Sequence, residues 1–205
     1  TWGQHPWCKM YWGDGKPAAD NPFYNVDAPH NWSVGNDWKQ ESAEVQHHLC
    51  DVLKFWLKEY KVDGYRFDLV KGLGDSNSYS SDYDGGRYNA SRVRNVKRFI
   101  DAIKSVNPNG YCILEGFLGT QEENELGNYG AMSWKKLTSN YAQAAMGYQS
   151  GSSFKGMYSG DENRPFGSIV SFQESHDEER VAYSQVTYGT TQAKKTVYDR
   201  SLIPI

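Results

Sequence analysis

What most constrains this chain is the order in which its hydrophobic periods change. From Ser42 onward Val45, Leu49, Val52, Leu53, Trp56 and Tyr60 form one apolar stripe at helical spacing, and the stripe ends near Lys61. Residues 62–69 then read as a strand, followed by a loop rich in Gly, Ser, Asn and Asp through Asn89. A second stripe, Val93, Val96, Ile100 and Ile103, predicts a helix from about Ser91 that stops before Pro108. Residues 111–115 and 168–173 supply two more strands. Between them, residues 131–146 look weakly helical and lead toward a short strand near 146–148. Parallel neighbours need a crossover helix, so helix, strand, helix, strand in regular order predicts an α/β chain of β/α units around a parallel sheet.

Residues 1–40 are different. Gly13, Gly15, Pro17, Pro22, Pro29 and Gly35 punctuate them with no sustained period, which predicts a loop-rich excursion ahead of β/α units over 41–205. With 22 Lys+Arg against 25 Asp+Glu the net charge is -3, so no global field recruits nucleic acid or anionic lipid. No run approaches the roughly 18 apolar residues of a membrane span. Aromatic residues are abundant: 7 Trp, 15 Tyr and 8 Phe, more than a core of this size needs. Rings in a cleft suit the apolar face of a sugar, and packing in a loop-rich protein is the plainer alternative. Cys8, Cys50 and Cys112 have no metal spacing and read as thiols, with a Cys8–Cys50 bridge left open. His47 and His48 have no carboxylate at ligand spacing on their helix face, and His5 and His30 fall in the loop-rich region, where they would contact sugar or cap turns.

The chemistry gathers at strand ends. Asp68 and Glu115 close two strands and Asp177 follows the third; in β/α proteins ligand sites form at the carboxyl ends of parallel strands. Alternation puts Arg66 and Asp68 on one face of their strand, where the guanidinium favours an ionised carboxylate. Glu115 lies between Ile113-Leu114 and Gly116-Phe117, an apolar setting that favours its protonated form. One ionised and one protonated carboxyl is the division of labour of retaining glycoside hydrolysis. Taken singly, each has a structural reading: an ion pair at a strand end, a helix-capping acid, a solvated helix start over 174–180. Three such coincidences on successive units favour the functional reading.

The motifs themselves bear a resemblance. Asp63-Gly64-Tyr65-Arg66-Phe67-Asp68-Leu69-Val70-Lys71 resembles the strand-four signature of the α-amylase superfamily of glycoside hydrolases. Leu114-Glu115-Gly116 resembles its strand-five signature and Ser175-His176-Asp177 its strand-seven signature, all in the family's order. The likeness is greatest to bacterial amylases. It implies that Asp68 is the nucleophile, Glu115 the general acid/base, and Asp177 the carboxylate that stabilises the transition state. Arg66 would orient the nucleophile, His176 bind sugar hydroxyls, and Lys71 contact substrate. Where relatives commonly carry His after that lysine, this chain has Gly72.

The resemblance further implies a partial (β/α)8 TIM barrel, the central part around strands four to seven, with residues 1–40 as the excursion after strand three. The family's strand-three motif is absent, and nothing after Tyr198 resembles an eighth strand. The implied reaction is retaining cleavage of α-1,4-glucans such as starch, with an α-glucan as partner and no cofactor required. A transglycosylase or branching enzyme, or a non-catalytic glucan-binding fragment, are the alternatives. Structural calcium occurs in relatives, and no metal ligand is assigned here. Family resemblance implies a secreted, periplasmic or cell-surface protein.

Overall fold

The computed structural model describes residues 2–3, 14–32 and 35–198. His5 and Cys8, with the Cys8–Cys50 bridge left open by the sequence, and the segment after Tyr198 lie outside the described residues. The chain divides into two compact units, Thr1–Ser133 and Trp134–Ile205.

In the first unit a two-residue antiparallel pair, β1 (Trp2–Gly3) with β2 (Asn36–Asp37), belongs to the loop-rich segment. Tyr24, Trp38 and Val45 give that segment a small core of its own. Helix α1 (Ala43–Glu59) leads into strand β3 (Gly64–Phe67). Two 3-10 helices, Val70–Leu73 and Ser76–Tyr79, then precede α2 (Ala90–Lys104). Strand β4 (Tyr111–Leu114), helix α3 (Thr120–Tyr129) and the first two residues of β5 (Met132–Lys136) complete the unit. β3 and β4 are parallel, with Gly64 opposite Tyr111 and Phe67 opposite Leu114, and β4 pairs in parallel with Met132 and Ser133.

Helix α2 starts where the Asn89 side chain accepts the backbone N–H groups of Ser91 and Arg92, satisfying donors that the first turn leaves free. The stripe read from the sequence is buried: Val93, Val96, Ile100 and Ile103 enter one core with Leu53, Leu57, Cys112 and Leu114. Phe67, on the helix-facing side of β3, stacks on Phe99 with centroids 5.5 Å apart. The expected α1 stripe is only partly buried. Val45, Leu53 and Leu57 point inward, whereas Val52, Trp56 and Tyr60 are exposed, Trp56 and Tyr60 leaning on each other at 4.4 Å.

The second unit holds the end of β5, helix α4 (Thr138–Met146), strand β6 (Ile169–Phe172), and helices α5 (Val181–Tyr188) and α6 (Thr191–Tyr198). β5 neighbours β6; Leu137 donates its N–H to the Phe172 carbonyl, and the Trp134 and Phe172 rings meet at 4.8 Å. Residues 131–146 are therefore a strand followed by a helix, not one weak helix, and Met146–Tyr148 closes α4 through the left-handed Gly147 instead of forming a strand. Sequence periodicity also missed α3.

Candidate active site

The carboxyl end of β3 carries Arg66 and Asp68, and that of β4 carries Glu115. Parallel register sets Phe67 beside Leu114, and the ladder continues as Glu115 donates its N–H to the Phe67 carbonyl at 3.0 Å. Beyond Asp68 the backbone turns through Leu69, whose φ of 45° is the left-handed conformation, and Val70 returns its N–H to the Glu115 carbonyl at 3.0 Å. The two strand ends are thus tied on both sides of the site.

One guanidinium joins the two carboxyls. Arg66 donates through Nη1 to Asp68 Oδ1 at 2.8 Å and through Nη2 to Glu115 Oε2. Glu115 is largely buried, its side chain 13% exposed, and Asp68 is more open at 46%. Burial pushes the Glu115 carboxyl above its ordinary value, the neighbouring Asp68 carboxyl raises it further, and Arg66 pulls the other way. Beside Arg66 and Asp68 lies a cavity of about 250 Å³, walled by Trp38, Leu49, Leu53, Phe67 and Leu73.

Lys71 lies one turn beyond Asp68, its ammonium 4.8 Å from the ring centre of Trp32. Trp32 had no place in the sequence argument, because a lone aromatic in an aperiodic loop carries no signal of its neighbours. His30 is buried rather than open to a ligand: Nδ1 accepts the Trp32 N–H at 3.3 Å and Nε2 faces Asp37 at 3.2 Å. His47 is exposed, and His48 stacks on Trp38 at 5.8 Å. Cys50 and Cys112 are free thiols, and burial pushes Cys112 up to about 12. Among the described residues no three His, Cys, Asp or Glu gather as a metal site.

His176 and Asp177 belong to the second unit, in the turn after β6. Both are exposed, with Nε2 and Oδ2 3.3 Å apart. Within the acidic run, Glu174 takes the structural role, accepting the Val181 N–H at 2.7 Å at the start of α5 and pairing with Arg180. The structure therefore brings together Arg66, Asp68 and Glu115, sets Lys71 on the adjoining turn, and places His176 and Asp177 after β6.

Parallel strands joined by helices, with carboxylates at their carboxyl ends, define a β/α-barrel protein, here in part. The family is equally definite: the alpha amylase catalytic domain model matches residues 30–197, and the chain belongs to that family. A stretch of 54 residues is 33% identical to the glycogen debranching enzyme of Salmonella paratyphi A, covering 26% of this chain and 8% of that one. Among solved structures, the alpha-amylase from H. orenii superposes with a TM-score of 0.56 at 22% identity, over 75% of this chain and 31% of that one. A pullulanase from Anoxybacillus sp. LM18-11, complexed with maltotetraose, superposes with a TM-score of 0.53 at 19% identity, over 88% and 26%. The chain spans less than a third of the length of each.

Proposed function

We propose that this chain carries the catalytic centre of a retaining glycoside hydrolase acting on α-1,4-linked glucans such as starch. The observation that carries the reading is the single guanidinium of Arg66 holding both carboxyls, one open and one buried and raised. Asp68 attacks the anomeric carbon as the bond to the leaving oxygen breaks, and Glu115 gives that oxygen its proton. Glu115, now a carboxylate, takes a proton from water; the water oxygen attacks the anomeric carbon and frees Asp68. An inverting pair stands roughly 6.5 to 9.5 Å apart to admit a water between the carboxyls. One guanidinium reaching both carboxyls, Asp68 on Nη1 and Glu115 on Nη2, supports the closer, retaining arrangement.

By their motif, Asp177 is the carboxylate that stabilises the oxocarbenium-like transition state and His176 its sugar-binding neighbour. Lys71 supplies a substrate contact beyond the nucleophile. The maltotetraose bound by the Anoxybacillus pullulanase supports an α-glucan as the class of substrate. The test is made in the intact protein. Asp68→Asn and Glu115→Gln should each lower turnover of soluble starch by several orders of magnitude with the melting temperature retained. Azide should partly restore Glu115→Ala on an activated aryl glycoside and should leave Asp68→Asn dead as an α-retaining reaction. Equal rescue of both, or a product released first as the β-anomer, would overturn the assignment.

A further inference from the structure

Arg92 is the largest fully buried side chain among the described residues, and every direction of its guanidinium is occupied. Nε and Nη2 donate to the two oxygens of Glu122 at 2.6 and 2.7 Å, a bidentate pair between α2 and α3 with both side chains 0% exposed. Nη2 also reaches the Arg87 carbonyl at 2.9 Å. Nη1 donates to two backbone carbonyls, Lys71 at 3.1 Å and Gly85 at 3.3 Å.

Those two carbonyls belong to the two sides of the cation–π contact over Trp32. Lys71 supplies the ammonium. Asp84, the residue before Gly85, accepts the Trp32 indole N–H on its carbonyl at 2.8 Å and the Asn31 side-chain amide on Oδ1 at 3.2 Å. Tyr79 adds a second donor beneath Lys71, its hydroxyl bonded to the same carbonyl at 2.6 Å while accepting the Gly74 N–H at 2.8 Å. Gly85 has a φ of +60°, and a Cβ there would lie 3.4 Å from both Arg92 Nη1 and the Lys71 carbonyl, so the approach is already close.

We propose that Arg92, anchored by Glu122, is a positioning residue that clamps both halves of a Trp32–Lys71 platform beside Asp68 and presents it to bound glucan. A flexible lysine and a loop tryptophan each lose side-chain freedom when they order. Fixing the Lys71 backbone and the Gly85 backbone next to the Asp84 carbonyl that holds the indole, from one buried, saturated guanidinium, lowers that loss at the moment of binding, so the clamp acts on affinity more than on the chemical step. What the platform contacts rests on the proposed function; the clamp itself does not.

The experiment separates the two. Lysines of the intact protein are reductively methylated with a 13C label, which keeps their charge, and the Lys71 signal is identified by its loss in Lys71→Arg. Above an indole face that signal should lie upfield. In Tyr79→Phe, which keeps the ring and removes only the hydroxyl, and in Arg92→Lys, the upfield displacement should shrink markedly. KM for maltoheptaose should rise by about tenfold with kcat little changed, and adding Lys71→Ala to Tyr79→Phe should add little, since both act through one contact. A signal that is not upfield in the parent, or is unchanged in a folded variant, would overturn the clamp; if Arg92→Lys fails to fold, Tyr79→Phe decides. A parent protein that turns over no glucan while the Lys71 signal behaves as described would overturn the proposed function and leave the clamp standing.

Discussion

Glu115 shows how a strand-end acid comes to hold its proton more tightly than an ordinary carboxyl. Its neighbours Ile113 and Leu114 enter the sheet, so the carboxyl leaves water, and the Asp68 carboxyl beside it disfavours a second charge. Arg66 opposes both effects without overcoming them. As general acid Glu115 must be protonated, so turnover should fall on the alkaline side as pH rises through its raised value. Arg66→Met, which removes the opposing charge, should move that alkaline limb upward; a limb that stays put or moves down in kcat/KM profiles would contradict the assignment. The same shift has a stability consequence. A carboxyl whose folded value is raised binds its proton more tightly folded than unfolded, so its contribution is present at acid pH and lost as pH rises through the folded value. Glu115→Gln should therefore gain in melting temperature over the parent as pH rises past the ordinary carboxylate range, and calorimetry at pH 4 and pH 8 reads the difference.

Helix α3 is held by charge where α2 is held by apolar packing. Of its ten residues only Leu126 is a buried hydrophobe, while Glu122 and Glu123 are buried with specific partners, Arg92 and the Leu118 N–H. Removing one partner of a fully buried pair leaves an uncompensated charge, so Glu122→Ala should cost about 3 to 5 kcal/mol in denaturant unfolding. The double variant Arg92→Met/Glu122→Leu should recover much of that loss; if the double is no better than the single, the pair is not the anchor it is taken to be. This explains what the sequence could reveal. α1, α2, β3, β4 and β6 announced themselves because apolar burial leaves a period. α3 and β5 did not: Gln121 to Glu125 is polar throughout, and Lys135 and Lys136 of β5 are paired with Glu162 and Glu178 rather than buried as hydrophobes. Arg92 had a signal, since it extends the buried row of Val96, Phe99 and Ile103 one turn back, but a cation in that row is only meaningful once Glu122 is known to face it. Arg66, Asp68 and Glu115 were legible because strand alternation fixes their facing locally, whereas Trp32 comes from a distant loop and is held by the Asp84 carbonyl, beside the Gly85 that lies against the Lys71 carbonyl.

At the scale of the molecule the open side of β3 decides what this chain does alone. Asp63 and Phe67 accept from Tyr111 and Glu115 of the β4 segment, so alternation turns the backbone groups of Gly64 to the opposite edge, where no strand pairs among the described residues. Val52 and Trp56 of α1 and the following Tyr60 are exposed, and the cavity walled by α1 and β3 residues includes the Gln40 side-chain amide, buried with no acceptor on Nε2. An unpaired parallel edge beside an apolar helix flank is complementary to one further β/α unit, and without it such an edge invites association between copies. Arg66 sits on that very strand and holds the carboxyl pair, so the orientation on which catalysis depends rests on what covers the strand. The 205-residue chain by itself should therefore turn over soluble starch at a rate far below that of a longer form with a strand against β3. Amide exchange should be fast at Gly64 and slow at Tyr65 and Phe67, and light scattering should show association that grows with concentration. Turnover by a monomeric 205-residue chain equal to the longer form, with Gly64 protected from exchange, would show that the edge is already closed.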